Sequence, residues 1–154
     1  MTESLQEKYA PKSVCFGCGP ANAKGLRIRS MLADDGQIVC DFSPEPHHLA
    51  FPGAVNGGIC GALLDCHSNW TAAYHLMKRA GADQVPCTVT AEFAVKLKRP
   101  TPIDAVLHIT ARPVEVLDDR ATIEAEITAN GKVTATCRGL FVAVKEGHPA
   151  FHRW

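Results

Sequence analysis

Hydrophobic and polar positions change period twice along the chain. Between Gly25 and Leu32 they alternate, with Leu26, Ile28 and Ser30 on one side and Arg27 and Arg29 on the other. This predicts a strand, and Asp34-Asp35-Gly36 is a hairpin turn leading to a returning strand over Gln37–Ser43. Pro44, Pro46 and Pro52 predict a loop over residues 44–55. From Gly57 to about Arg79 the period becomes helical. Ile59, Leu63, Trp70, Tyr74 and Met77 share one stripe, and Gly58, Gly61, Asp65, Ser68, Asn69 and Ala72 share the opposite one. Gly81 is the expected stop, after Lys78 and Arg79 at the negative end of the dipole.

Alternation then returns. Val89, Ala91, Phe93, Val95 and Leu97 interleave with Thr88, Thr90, Glu92 and Lys96. Ile103–Leu117 reads as a second long strand bent near Pro113, Ala121–Ala129 as a third and Val133–Val144 as a fourth, with Asn130-Gly131 the strongest hairpin signal. The order β-β-α-β-β-β-β predicts an α+β domain over residues 25–145, one helix against an antiparallel sheet ending in a four-strand meander. An irregular lead-in (1–24) precedes it and a loose tail (146–154) follows. The open edge of such a sheet makes dimerisation the expectation.

Composition narrows the function classes. The 154 residues are 46% hydrophobic, with 16 basic and 16 acidic side chains. That suffices for one core and excludes disorder. A net charge of zero argues against nucleic acid as a partner. No apolar run reaches the roughly 18–20 residues that span a bilayer, and Met1–Lys12 is polar, so the expected setting is cytoplasmic, without a membrane. Seven scattered cysteines, an odd number, fit reduced thiols rather than a disulfide scaffold.

The most informative segment runs from Pro52 to Asp65. Gly57 and Gly58 at a loop-to-helix junction leave backbone N–H groups uncovered at the positive end of the dipole, a place for an anion or oxyanion. Asp65 follows two turns later, on the small-residue face of an otherwise apolar helix, where desolvation would raise its basicity.

The junction Asn56-Gly57-Gly58 with Asp65 nine residues after Asn56 resembles the hot-dog thioesterases of phenylacetate-pathway type, which carry His-Gly-Gly and an acid at that offset. Val95-Lys-Leu-Lys-Arg-Pro100 resembles their strand ending in Arg-Pro. Cys15-Phe-Gly-Cys-Gly-Pro20 with Asn22 and Gly25-Leu26 is similar to a lead-in of one branch. The resemblance implies a hot-dog fold, a curved sheet around one long helix, assembled as a homodimer or a dimer of dimers with sites at the dimer interface. It implies an acyl-CoA substrate, with coenzyme A entering only as part of that substrate and no separate cofactor. Asp65 would be general base or nucleophile, and the Gly57 N–H, beside Gly58, would polarise the carbonyl. Asn69 would be a supporting polar group and Thr90 a hydroxyl lent by the neighbouring subunit. Ser68, His48, Lys98 and Arg99 are the expected substrate contacts.

Two positions depart from the pattern: Asn56 replaces the histidine, and Ala50 stands where a water-holding Gln or Asn sometimes sits. They keep open a non-catalytic acyl-thioester binding protein, and a hydratase or dehydratase of the same fold is the other alternative.

Other motifs carry less. Cys15-x-x-Cys18 lacks a second ligand pair at standard zinc spacing, so Cys40, His47 or His48 would have to be recruited. The cysteines are therefore read as packing a Gly-rich turn, with no metal. Cys66 and His67 are adjacent on the helix and point about 100° apart, so they are not a nucleophile pair. No Gly-x-Ser-x-Gly elbow is present. Lys96, Lys98, Arg99, Arg112 and Arg138 would offer cations to phosphates, or simply solvate a sheet edge.

Overall fold

A computed structural model describes residues 2–152 and Trp154. Its elements are α1 (Leu5–Tyr9), β1 (Met31–Leu32), β2 (Ile38–Phe42), β3 (Leu49–Phe51), β4 (Ala54–Val55), α2 (Gly57–Ala80), β5 (Thr88–Leu97), β6 (Leu107–Val116), β7 (Arg120–Ala129) and β8 (Lys132–Ala143). A six-stranded antiparallel sheet in the order β1-β2-β6-β7-β8-β5 wraps around α2. The long helix, its Gly81 stop and the Asn130-Gly131 hairpin stand where the periodicity predicts them.

The helix is enclosed on more than one side. Its small-residue face lies on the sheet: Ala72 and Leu76 pack with Ala121, Ile123 and Phe141. Short side chains are what let a helix approach a sheet closely. The bulky side is roofed by the lead-in and tail, with Trp70 buried against the Trp154 ring at 4.7 Å between centroids.

The structure corrects several expectations. Residues 25–30 do not pair with β2. Arg27 has φ +49°, which breaks the extended run, and the N–H groups of Leu26 and Ile28 donate to Phe16 and Gly17 carbonyls in the lead-in instead. The lead-in is not wholly irregular, because Ser4 and Glu7 form a capping box that starts α1. The proline loop contains the β3–β4 hairpin. The tail is docked: the Trp154 Nε1 donates to the Pro86 carbonyl and the Cys87 Sγ to the Phe151 carbonyl. The expected meander holds only for β6-β7-β8. Strand β5 pairs with β8, and residues 98–106 cross back past the start of α2, tied by Val55 N–H to Thr101 O and Ile103 N–H to Gly53 O. The strand expected over Ile103–Leu117 begins at Leu107, and its bulge falls beside Pro113 as the proline requires.

A buried polar chain joins these layers. Gln6 Nε2 donates to Ser30 Oγ at 2.9 Å, and Ser30 Oγ meets His67 Nδ1 at 2.8 Å. His67 Nε2 lies 3.1 Å from the Ile38 carbonyl, which can only accept. The ring is thus held neutral, with the proton on Nε2. Burial pushes His67 down to about 4 from an ordinary value near 6.5. The unfolded chain takes up this proton near pH 6.5 and the folded chain only near 4. Stability should therefore fall as pH drops through that window, by roughly 3 kcal/mol at its lower end. Burial lowers His48 and His75 as well, with the same sign. Urea unfolding between pH 7 and 4 checks this, and His67→Gln should flatten the slope; an unchanged slope would remove His67 as its source.

Candidate functional site

The start of α2 has four N–H groups that the helix itself cannot satisfy. Asn56 caps it. Its side-chain oxygen accepts from the Gly58 N–H at 2.8 Å and the Ile59 N–H at 3.2 Å, and its own N–H donates to the His48 carbonyl at 2.8 Å. That accounts for three. The Gly57 N–H has no acceptor among the described residues and points along the positive end of the dipole. The tip of β5 reaches this spot: a Cβ on Gly57 would lie 2.9 Å from Leu97 Cδ1. Lys98 and Arg99, exposed, follow directly.

Asp65 is half-buried two turns on. Its Oδ1 accepts from Thr90 Oγ1 at 2.6 Å. One turn further, Asn69 Oδ1 accepts from Thr88 Oγ1 at 2.5 Å. The two pairs form a matched ladder. Four helical residues rise about 6 Å and two strand residues about 6.6 Å, so positions 65 and 69 line up with 90 and 88.

Simple alternation along β5 would separate these threonines from the face carrying Val95 and Leu97. The register shift between Thr90 and Glu92 removes that conflict. One extra residue at the bulge reverses parity, so Thr88 and Thr90 face the helix before it and Val95 packs inward after it. Thr90 thus bonds to Asp65 of its own chain, while the expectation was a hydroxyl lent by a neighbouring subunit.

Two expected substrate contacts are enclosed. Ser68 is fully buried with its hydroxyl beside the Cys137 thiol. The His48 ring stacks on Phe42 and its Nδ1 accepts from the Glu45 N–H, so His48 supports the turn that positions Asn56. Arg112 pairs with Glu124 at 2.7 Å, and Arg138 lies 3.7 Å from the same carboxylate, in the groove with Lys96, Thr110 and Thr136. Lys98 and Arg99 instead follow directly on Leu97, the residue whose side chain reaches Gly57.

A second polar cluster lies on the bulky side of α2. The sulfurs of Cys15, Cys18 and Cys66 are all within 4.8 Å of one another. The cysteine recruited to the Cys-x-x-Cys pair is thus Cys66, not Cys40 or a loop histidine. Hydrogen bonds with the Cys18 and then the Cys66 thiol pull the Cys15 thiol well below its ordinary range; sharing that charge holds Cys18 up to about 12 and Cys66 well above its usual value.

No family model and no curated protein matches the chain. Solved structures do. A thioesterase superfamily protein aligns with 83% of the chain at TM-score 0.61 and 22% identity, and the chain spans 62% of that protein's length. The PaaI protein of the E. coli phenylacetic acid degradation operon aligns with 81% of the chain and 85% of its own, at TM-score 0.65 and 21% identity. A Bacillus halodurans protein solved with CoA aligns with 82% of the chain and 80% of its own, at TM-score 0.67 and 22% identity. The chain has the hot-dog fold of these proteins. Among the described residues no helix is long and apolar enough to cross a membrane.

The ladder predicts a measurable asymmetry. Thr88→Val strands a buried Asn69 oxygen and should destabilise by about 1–3 kcal/mol, while adding Asn69→Leu should recover part of the loss. Chemical denaturation of the two single variants and the double variant tests this; additive losses would dissolve the pairing.

Proposed function

We propose that the chain is an acyl-CoA thioesterase whose active sites form where two copies meet along β5. The observation that carries this reading is a separation. The Gly57 N–H and the Asp65 carboxylate lie eight residues apart on one helix, about 12 Å along its axis. A thioester carbonyl polarised by Gly57 is therefore out of reach of Asp65 on the same chain. A second copy would bring its Asp65 to the first copy's Gly57. Strand β5 is an open edge carrying exposed Phe93 and Leu97, and it lies beside both groups. A homodimer, or a dimer of dimers, satisfies this arrangement.

In the site so formed, the Gly57 N–H of one subunit and its helix dipole stabilise the oxyanion. Asp65 of the other, oriented by Thr90, accepts a proton as water adds to the carbonyl carbon. Collapse of the tetrahedral intermediate breaks the C–S bond, and the departing coenzyme A sulfur takes the proton from Asp65. The alternative is attack by Asp65 itself, giving an anhydride that water then cleaves. Lys98 and Arg99, beside the oxyanion donor, would hold phosphates of the coenzyme A portion. The thioesterase names of the structural neighbours, and the CoA found with one of them, support this choice of substrate.

One observation favours a second reading. Ala50, exposed near the junction, offers no group to hold water, which suits a protein that binds acyl thioesters without cleaving them. Chromatographic assay of coenzyme A release from short, medium, long and aromatic acyl-CoAs separates the two. Turnover is expected, with Asp65→Asn lowering kcat by ~10²–10⁴-fold and leaving binding in place. Binding without turnover by the wild type would select the second reading.

The shared site has its own test. Gly57 is the first helical residue, where proline is tolerated, and Asn56 at φ −55° and ψ 132° is compatible with a following proline. Gly57→Pro thus removes the donor while keeping the helix. Gly57→Pro and Asp65→Asn should each be inactive alone. Co-expressed, randomly paired subunits should regain roughly a quarter of wild-type activity, since half the dimers would carry one intact site of two. No recovery would place both groups of a working site on one chain.

A further inference from the structure

The thiol cluster is unused by the reaction above. We propose that Cys15, Cys18 and Cys66 bind one zinc-type divalent ion through three thiolates, with solvent in the fourth position.

The spacing fits. At a Zn–S distance of about 2.3 Å, tetrahedral geometry places sulfurs about 3.8 Å apart. Cys15 Sγ and Cys66 Sγ are 3.8 Å apart, and all three sulfurs lie within 4.8 Å of one another, so the remaining adjustment is a small side-chain rotation. Three sulfur donors and no carboxylate make a soft set that selects zinc over magnesium or calcium.

The surroundings are arranged for charge on sulfur. The loop from 15 to 18 turns tightly at this point, with the Gly19 N–H donating to the Cys15 carbonyl at 2.8 Å, which sets Cys18 beside Cys15. The Trp70 indole N–H is buried near Cys18 without a hydrogen-bond acceptor among the described residues. Three thiolates around a doubly charged ion leave one net negative charge, and the indole N–H is a donor available to it. Gly17 leaves the space: a Cβ there would sit 2.3 Å from Cys66 Sγ. Cys15 is half-exposed while Cys18 is buried, so solvent reaches the fourth position from the Cys15 side. Binding would release the remaining thiol protons to solvent and fasten the lead-in to α2.

The test uses full-length, fully reduced protein stripped with chelator and titrated first with Co²⁺, then with Zn²⁺. One equivalent of cobalt should bind with a thiolate-to-cobalt charge-transfer band and ligand-field bands of tetrahedral intensity. Zinc should abolish both and raise Tm, saturating at one equivalent. Changing even an outer-shell partner costs roughly 10–100-fold in affinity, so Cys15→Ser and Cys66→Ser should each lose at least that. If Cys66→Ser fails to fold, Cys15→Ser, in a half-exposed loop, gives the same readout. His47→Ala should change nothing, which separates this cluster from Glu45, His47 and His48 in the proline loop. Absence of the charge-transfer band, its persistence in Cys15→Ser, or its loss in His47→Ala would each overturn the proposal.

Discussion

The organising constraint is a 24-residue helix covered on both its broad sides. A helix at a surface sheds its polar side chains into water. One enclosed by a sheet below and a lead-in above cannot, and an unpaired buried polar group is costly. Polar residues of α2 accordingly meet partners from different parts of the chain: Asp65 with Thr90, Asn69 with Thr88, His67 with Ser30 and Ile38, Cys66 with Cys15. Each contact is tertiary. Together they fix the rotation of the helix against the sheet, which apolar packing alone specifies only loosely.

The same enclosure decides where chemistry has room. The middle of α2 is buried, so the groups proposed to react sit at its open start and where the sheet stops. Gly57 occupies the first place. Asp65 occupies the second, under β5 at the end of the sheet, whose outer edge pairs with no other strand among the described residues. Elements that leave an edge exposed are normally blunted or covered. Here the exposed edge and the half-buried carboxylate coincide, and one device, pairing of two copies, would address both.

Much of this was legible in the residues, and the boundary between legible and hidden has a physical meaning. Asn130-Gly131, the Gly81 stop and the Asn56 cap are local events decided by a few dihedral angles, so short motifs announce them. The bulge at Ala91 is different. Its residues alternate cleanly, and only the need to bring Thr88 and Thr90 under α2 while Val95 packs inward demands an extra residue. The left-handed Arg27 is equally silent, because non-glycine residues rarely adopt it without tertiary compensation. Strand order was hidden too: nothing local distinguishes β5 beside β6 from β5 beside β8. Adjacent residues on a helix, such as Cys66 and His67, read from the sequence as an ill-oriented pair. The two do point apart, and each found its own partners across the fold.

The asparagine at position 56 also has a structural account. A side chain there must organise the turn while leaving one donor uncovered. Asn56 does this by division. Its carboxamide oxygen takes the Gly58 and Ile59 donors together, and its backbone N–H is spent on His48. A cap that reached Gly57 instead would satisfy the helix equally well and cover the donor proposed for the oxyanion. Gly58 keeps the division possible, since a Cβ there would come within 2.9 Å of the capping oxygen. What the junction needs is therefore a short acceptor held at one fixed angle, with His48, buried and stacked on Phe42, holding it. Asparagine, among the best helix caps, meets that requirement without an imidazole.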